Sequence, residues 1–215
     1  MRTFRKLAAA AASLALLVSV ARVASSSDAR SDGLSVAETE SLLRGKTIVR
    51  PIQLERAGRR YVGGVSYVVV DAAVERVAGL LGDVGSWQRI LPKTRAADVV
   101  GSAGDDDLVL VTHGTALLQA SYTMRVHREG RTVRFWMDPG RRHDIEDAWG
   151  FLRVEPLGDE QSGQTVLTYG VLVDLGPGLL RDLFEDRVRQ LALTVPDRVR
   201  WMVVARSAAG QRASR

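Results

Sequence analysis

The clearest pattern in the chain is an apolar stripe of helical period near its C-terminal end, at residues 179–206. Steps of three and four separate its members, which places them on one face of an amphipathic helix. They are Leu180, Phe184, Val188, Leu191, Val195, Val199 and Met202. Pro196 interrupts the pattern, and its ring clashes with the carbonyl near Ala192. The pattern therefore predicts one long helix with a kink.

A period of two takes over in the segment between Lys93 and Gly176. The clearest case is residues 116–126, where Leu118, Ala120, Tyr122, Met124 and Val126 alternate with mainly polar residues. Such alternation is typical of a strand with one face buried, as antiparallel strands commonly are. Six strands are predicted, at residues 96–101, 108–113, 116–126, 132–137, 145–156 and 164–174.

In the first third of the domain, the sequence predicts a helix, a hairpin and two further short helices. Ser35 and Glu38 fit a capping box that opens a helix ending at Gly45. Extended runs at 47–54 and 60–70 flank a turn and favour a hairpin. Asp71 is expected to cap the second helix. The segment 83–92 predicts a short irregular helix that Pro92 ends.

A secretory signal peptide is predicted at the N-terminus. Arg2, Arg5 and Lys6 precede a small-apolar run at residues 7–21, the order of such a leader. The run is shorter than the roughly 20 residues of a membrane-spanning helix, which favours cleavage over an uncleaved anchor. Cleavage after Ala21 and cleavage after Ser25 both remain open.

This leader sets the predicted domain organisation: a signal peptide at 1–25, a flexible lead-in at 26–33, one domain at 34–206 and a flexible tail at 207–215. The protein is expected to be exported, either to the periplasm or to the medium.

Charge and cysteine content narrow the possible functions. Cleavage after Ser25 removes four basic residues from a chain whose formal charge is +5, so the basic character belongs mainly to the leader. Nucleic-acid binding is therefore not expected. The chain has no cysteine, which excludes disulfides and a lipidated cysteine. A hydrophobic core has to stabilise the domain.

The order of elements and three local segments resemble a known superfamily. The segments are residues 70–77, residues 81–83 with Trp87 and Leu91-Pro92, and residues 163–169. Over residues 61–204 the chain resembles the START-like (SRPBCC) superfamily, which includes polyketide cyclase-like, coenzyme Q-binding-like and Bet v 1-type proteins. The resemblance implies an α+β helix-grip fold, in which a curved antiparallel sheet wraps around a long C-terminal helix. It also implies that the Trp87 to Pro92 segment borders a cavity mouth.

The candidate site is the gap between this sheet and the helix, where an apolar ligand can bind. The predicted ligand-binding residues are Tyr122, Met124, Phe135, Met137 and Tyr169 from the sheet, Leu180, Phe184, Val188 and Leu191 from the helix, and Trp87, Leu91 and Trp149 near the entrance. Each of these positions is also one that a folded core requires. Val199 and Met202 are expected only to anchor the helix.

The sequence shows no catalytic, metal or cofactor motif. The three histidines, His113, His127 and His143, are scattered and are expected to be solvated surface residues. Glu146 and Asp147 fall on opposite strand faces, which argues against a carboxylate pair. No nucleophile elbow, phosphate loop or dinucleotide fingerprint occurs. No cofactor and no metal are predicted.

Three functions remain open at this level. The favoured one is an exported binder or carrier of a lipophilic small molecule, such as a lipid, a quinone or a polyketide-like compound, with transient contact to a membrane surface. The second is a cyclase-like or hydrolase-like enzyme that uses Tyr122, Tyr169, Arg153 or Asp147. The resemblance supports that enzyme less, since a predicted signal peptide and the extra segment 35–54 depart from cytosolic polyketide cyclases. The third is an envelope adaptor that binds a protein partner through this extra segment.

Overall fold

A computed structural model describes residues 33–114, 119–159 and 161–213, with the side chains of 179–184 and 206–213 outside the described part. The predicted signal peptide and nearly all of the lead-in lie outside the described residues. In chain order the elements are α1 Val36–Leu43, β1 Ile48–Arg56, β2 Arg59–Val70, α2 Val74–Gly82, α3 Val84–Ile90, β3 Thr94–Ala103, β4 Asp106–Gly114, β5 Gln119–Glu129, β6 Thr132–Met137, β7 Asp147–Pro156, β8 Thr165–Asp174, α4 Leu179–Ala192 and α5 Val195–Ala213.

The described strands form one open, curved antiparallel sheet in the order β1-β2-β8-β7-β6-β5-β4-β3. Strands β3 to β8 follow one another as a meander, and β8 then pairs with β2. The six-strand meander and the preceding hairpin are both confirmed, while residues 116–118 of the predicted third strand lie outside the described residues. The predicted α+β helix-grip fold is also confirmed, because helices cover one face of this curved sheet.

The two faces of the sheet differ in character. One face, called here the concave face, carries the hydrophobic core, including Val68 of β2, Leu152 of β7 and Leu167 of β8. The opposite, convex face carries alternate residues, among them the partly exposed Trp136 and Trp149. Because side chains alternate along a strand, the register assigns every strand residue to one of these faces.

The C-terminal stripe forms two helices rather than one bent rod. Helix α4 ends at Ala192, and α5 begins at Val195 with Pro196 in its first turn, where a missing amide donor costs nothing. The predicted kink is thus a break at Leu193 and Thr194. Helix α5 also continues to Ala213, beyond the predicted start of the tail at residue 207.

Helix α5 holds the C-terminal helices against the concave face of the sheet. Its side chains at Val195, Val199, Met202 and Val203 are buried in the core, and the helix packs on β2, β8 and α3. Each such side chain contributes about 1.5–3 kcal/mol through the apolar surface that it removes from water. The expected anchoring role of Val199 and Met202 agrees with this burial.

One predicted helix cap is wrong. Helix α2 begins after Ala73, which makes no side-chain capping bond, and Asp71 is exposed. The Ala72 amide donates to the Val70 carbonyl, and the Thr165 hydroxyl donates to the Ala72 carbonyl over 2.6 Å. These bonds hold residue 72 in a turn, so the helix starts too late for Asp71 to cap it.

Candidate functional site

Part of the concave face is apolar but not fully covered. Several side chains pack against the core and yet keep accessible surface, namely Leu91, Ala97, Tyr122, Phe135, Val173, Leu175 and Ala192. They come from the sheet, from the segment after α3 and from the end of α4. Apolar surface of this kind in a concavity is what lipophilic ligands bind.

The five site residues predicted on the sheet share this face. Met124 pairs with Met137, and Val126 pairs with Phe135 across β5 and β6. Tyr169 and Tyr122 belong to the same apolar cluster. The structure therefore brings Tyr122, Met124, Phe135, Met137 and Tyr169 together, while their contact with a ligand stays a prediction.

A glycine on β7 shapes the middle of this surface. The rings of Phe135 and Tyr169 stack with their centroids 6.3 Å apart. A Cβ atom at Gly150 would lie 2.6 Å from the Phe135 ring, so only glycine allows this ring to lie against β7.

His113 lies on the concave face, which corrects its prediction as a solvated histidine. It follows Val109 and Val111 at the inward positions of β4 and stacks on Tyr122 at 5.5 Å. Its Nδ1 lies 3.1 Å from the Pro92 carbonyl oxygen and 3.0 Å from the Thr94 hydroxyl. Burial lowers the pKa of His113, so the ring is neutral at physiological pH. Since a carbonyl oxygen only accepts, Nδ1 carries the proton and Nε2 is an acceptor.

The two other histidines have different surroundings, and the backbone of His143 forms a bridge with Tyr122. His127 on the convex face contacts Asp106 over 2.8 Å, and His143 is exposed. The sequence analysis missed the position of His113 because it placed this histidine at the end of a strand, where a solvated side chain was expected. The alternation of Val109, Val111 and His113 was the signal that could have assigned the histidine to the buried face of the strand.

Two predicted entrance residues take other positions. Trp149 pairs with Trp136 and Leu172 on the convex face and is 42% exposed. The prediction that it contacts a ligand near the entrance is therefore corrected, since its neighbours Ala148 and Gly150 occupy the inward positions. Trp87 is buried, and its indole N–H donates to the Leu81 carbonyl over 2.9 Å, which fixes it inside the core. Leu91 is half-buried against that core.

The predicted helix residues are only partly described. Leu180 and Phe184 lie outside the described side chains. Val188 and Leu191 of α4 are half-buried. Their role as ligand contacts therefore stays a prediction.

Two residues considered for enzyme chemistry point away from the concave face. Asp147 accepts a hydrogen bond from the Tyr61 hydroxyl over 2.7 Å and lies 3.2 Å from the Arg59 guanidinium. Arg153 alternates with the inward Leu152 and Val154, and it lies over the Phe151 ring. Of the four candidates, only Tyr122 and Tyr169 face the apolar surface.

The described residues contain no group of three or more metal-ligating side chains. Among them, no helix combines the length and the apolar character that crossing a bilayer requires.

Comparison with known proteins rests on structure alone, because no protein-family model and no curated protein match the sequence. A protein from Thermus thermophilus is similar with a TM-score of 0.55 at 17% identity, over 66% of this chain and 97% of that chain. The STAR-related lipid transfer protein from Xanthomonas axonopodis is similar with a TM-score of 0.55 at 16% identity, over 73% of this chain and 92% of that chain.

A third similar structure is the di-domain ARO/CYC StfQ from the steffimycin biosynthetic pathway. Its TM-score is 0.53 at 13% identity, over 72% of this chain and 53% of that chain. Likeness at such identities establishes the fold alone. The chain has the START-like (SRPBCC) helix-grip fold.

Proposed function

We propose that this protein is an exported binder or carrier of a lipophilic small molecule, held between the concave face and the C-terminal helices. The observation that carries the proposal is the apolar surface that stays accessible around Tyr122 and Phe135. A lipophilic ligand on this face would remove that apolar surface from water, which is favourable by about 25 cal/mol per Å².

The fold supports the same kind of ligand. One similar structure is a lipid transfer protein and another is an ARO/CYC protein of a biosynthetic pathway. Arg153 and Asp147, two of the four residues considered for enzyme chemistry, lie on the convex face. Binding is therefore better supported than catalysis. Export rests on the leader sequence, and transient membrane contact would serve delivery of such a ligand.

The test blocks the accessible surface with a bulky side chain. Ala97 lies in one row with Val111 and Tyr122 on the concave face, whereas Val100 of the same strand is exposed. The Ala97→Trp variant should lose the uptake of an environment-sensitive apolar dye, measured by fluorescence titration, and Val100→Trp should keep it. Circular dichroism confirms that both variants fold. Equal uptake by both folded variants, or no uptake by the wild type, would contradict the proposal.

A further inference from the structure

Charge is distributed unevenly along the chain behind the predicted leader. The whole chain has 30 basic and 25 acidic side chains. Four of the basic ones lie in the leader, and five arginines lie at residues 198–215, which contain no acidic residue. Residues 26–197 therefore keep 21 basic and 25 acidic side chains, a net charge of −4, against +5 at residues 198–215. Such asymmetry within one chain is typical of proteins that bind polyanions or membrane surfaces.

Helix α5, which carries most of this basic segment, has one face in the core and one in solvent. Val199, Met202 and Val203 are buried, and the helix packs on β2 and β8 through them. On the outer face, Trp201 is 71% exposed and Val204 is 52% exposed. Trp201 is the most exposed of the four tryptophans. The outer face therefore presents apolar surface that the core does not use.

Cations without ion pairs flank this outer face. Arg198 precedes Trp201 by about one helical turn, and it forms no ion pair with the described residues. The Arg200 guanidinium donates to the Gly45 carbonyl over 2.8 Å, which holds the segment after α1 against α5. The next residue of that segment, Lys46, is exposed and likewise has no ion pair within the described part of the chain.

The carboxylate next to these cations is already occupied. Asp197 is the one acidic residue in the sequence of α5. It accepts hydrogen bonds from the Thr47 hydroxyl over 2.6 Å and from the Arg200 guanidinium over 2.7 Å. On the convex face of the sheet, by contrast, Arg125 and Arg134 each pair with a carboxylate. Positive charge is thus balanced on the sheet and in excess around α5.

An exposed tryptophan among free cations matches the surface of a bilayer that contains anionic lipids. Indole prefers the interface, where its apolar ring and its N–H group both find suitable surroundings. Arginine and lysine are attracted to the negative headgroups. A nucleic acid would satisfy the charges alone, and the predicted export argues against that partner. Among the described residues no helix is apolar and long enough to cross a bilayer, so α5 would lie along the surface.

We infer that the outer face of α5, around Trp201 and Val204, docks on the surface of a bilayer that contains anionic lipids. This inference deepens the proposed function, on which it rests for its purpose, by naming the surface that makes the membrane contact. The inner face of the same helix packs on the concave face of the sheet. Docking therefore places the concave face one helix diameter, about 10 Å, from the bilayer.

The experiment is flotation of the purified protein with two kinds of vesicle, phosphatidylcholine alone and phosphatidylcholine mixed with phosphatidylglycerol. The wild type should prefer the mixed vesicles and lose binding as salt is added. Trp201→Ala should weaken this binding about tenfold and Arg198→Gln about fivefold. Trp136→Ala and Arg142→Gln are matched controls and should change nothing, since Arg142 is also exposed and lacks an ion pair among the described residues.

The outcomes separate this inference from the proposed function. All variants come from one host, so any contribution of residues 1–25 is the same in each. Trp201→Ala should keep the circular dichroism spectrum and the apolar dye uptake of the wild type. Equal binding to both kinds of vesicle, no binding, or equal losses in Trp201→Ala and Trp136→Ala would overturn the inference and leave dye uptake as evidence for the proposed function. Tighter binding to a DNA duplex than to mixed vesicles would assign the basic helix to nucleic acid and also overturn it. Vesicle binding without dye uptake would contradict the proposed function instead.

Discussion

The backbone conformation of a single residue can lower the stability of a protein, and the turn of the first hairpin contains such a residue. Ala57 and Gly58 join β1 to β2, and both have positive φ angles, 51° and 76°. Two such residues form a type I′ turn, which suits Asn-Gly better than Ala-Gly. An alanine in this conformation costs about 1–2 kcal/mol relative to an unstrained one.

Replacing this alanine should therefore stabilise the protein. Ala57→Asn is expected to raise the free energy of unfolding by about 1 kcal/mol, because asparagine tolerates the left-handed region. Urea unfolding followed by circular dichroism measures the change. A substitution to Val at the same position should lower the stability, and equal behaviour of the two variants would contradict this explanation.

The half-buried His113 is expected to give the fold a dependence on pH. Burial lowers its pKa below the ordinary value of 6.5 in the folded protein, so the unfolded chain binds more protons in this range. The contribution of His113 is then fully present above about pH 6.5 and is lost as the pH falls towards the folded pKa.

Unfolding curves between pH 7.5 and 5 test this dependence, since about pH 6.5 is where the unfolded imidazole titrates. His113→Phe should show a smaller fall in unfolding free energy than the wild type. The same slope in both proteins would show that His113 does not cause the dependence.

At the scale of elements, helix starts depend on bonds that the local sequence does not always reveal. Asp83 caps α3, because its carboxylate accepts from the Gly85 amide over 3.0 Å and from the Ser86 hydroxyl over 2.7 Å. Asp71 has the same side chain before α2 but lies outside the helix start. The two residues form a natural pair for comparison.

Asp83→Ala should cost about 1 kcal/mol of stability, the usual worth of an N-cap, and Asp71→Ala should change it by less than about 0.5 kcal/mol, as surface substitutions do. Thermal unfolding of the two variants gives the difference. If Asp71→Ala proved the more damaging, the start of α2 would have to be placed earlier.

Much of this architecture follows from local patterns in the sequence. Alternation around Tyr122 and Met124 identifies both a strand and its buried face, and Pro196 locates the break between α4 and α5. Other features depend on distant partners. The Thr165 hydroxyl bonds to Ala72 across the fold, and this contact excludes Asp71 from the helix.

The candidate site was less predictable for the same reason. Trp149 is apolar, yet Ala148 and Gly150 take the inward positions, because Gly150 leaves room for the Phe135 ring.

At the scale of the whole molecule, processing is expected to precede function. Expressed in a bacterial host, the protein should be recovered from the periplasm or the medium without its first 21 or 25 residues. Intact mass and N-terminal sequencing identify the cleavage site. Replacing Arg2, Arg5 and Lys6 with acidic residues should leave the chain uncleaved inside the cell. Recovery of full-length protein from the periplasm would contradict the predicted cleavage.

The central claim is that the concave face holds a lipophilic molecule, and native mass spectrometry of gently purified protein tests it most directly. The wild type should carry a noncovalent mass that organic solvent removes, or take one up from an added apolar probe. Ala97→Trp should give only the mass of the polypeptide, and Val100→Trp should match the wild type. A bare polypeptide mass for the wild type even with the added probe, or bound mass that persists in Ala97→Trp, would contradict the claim.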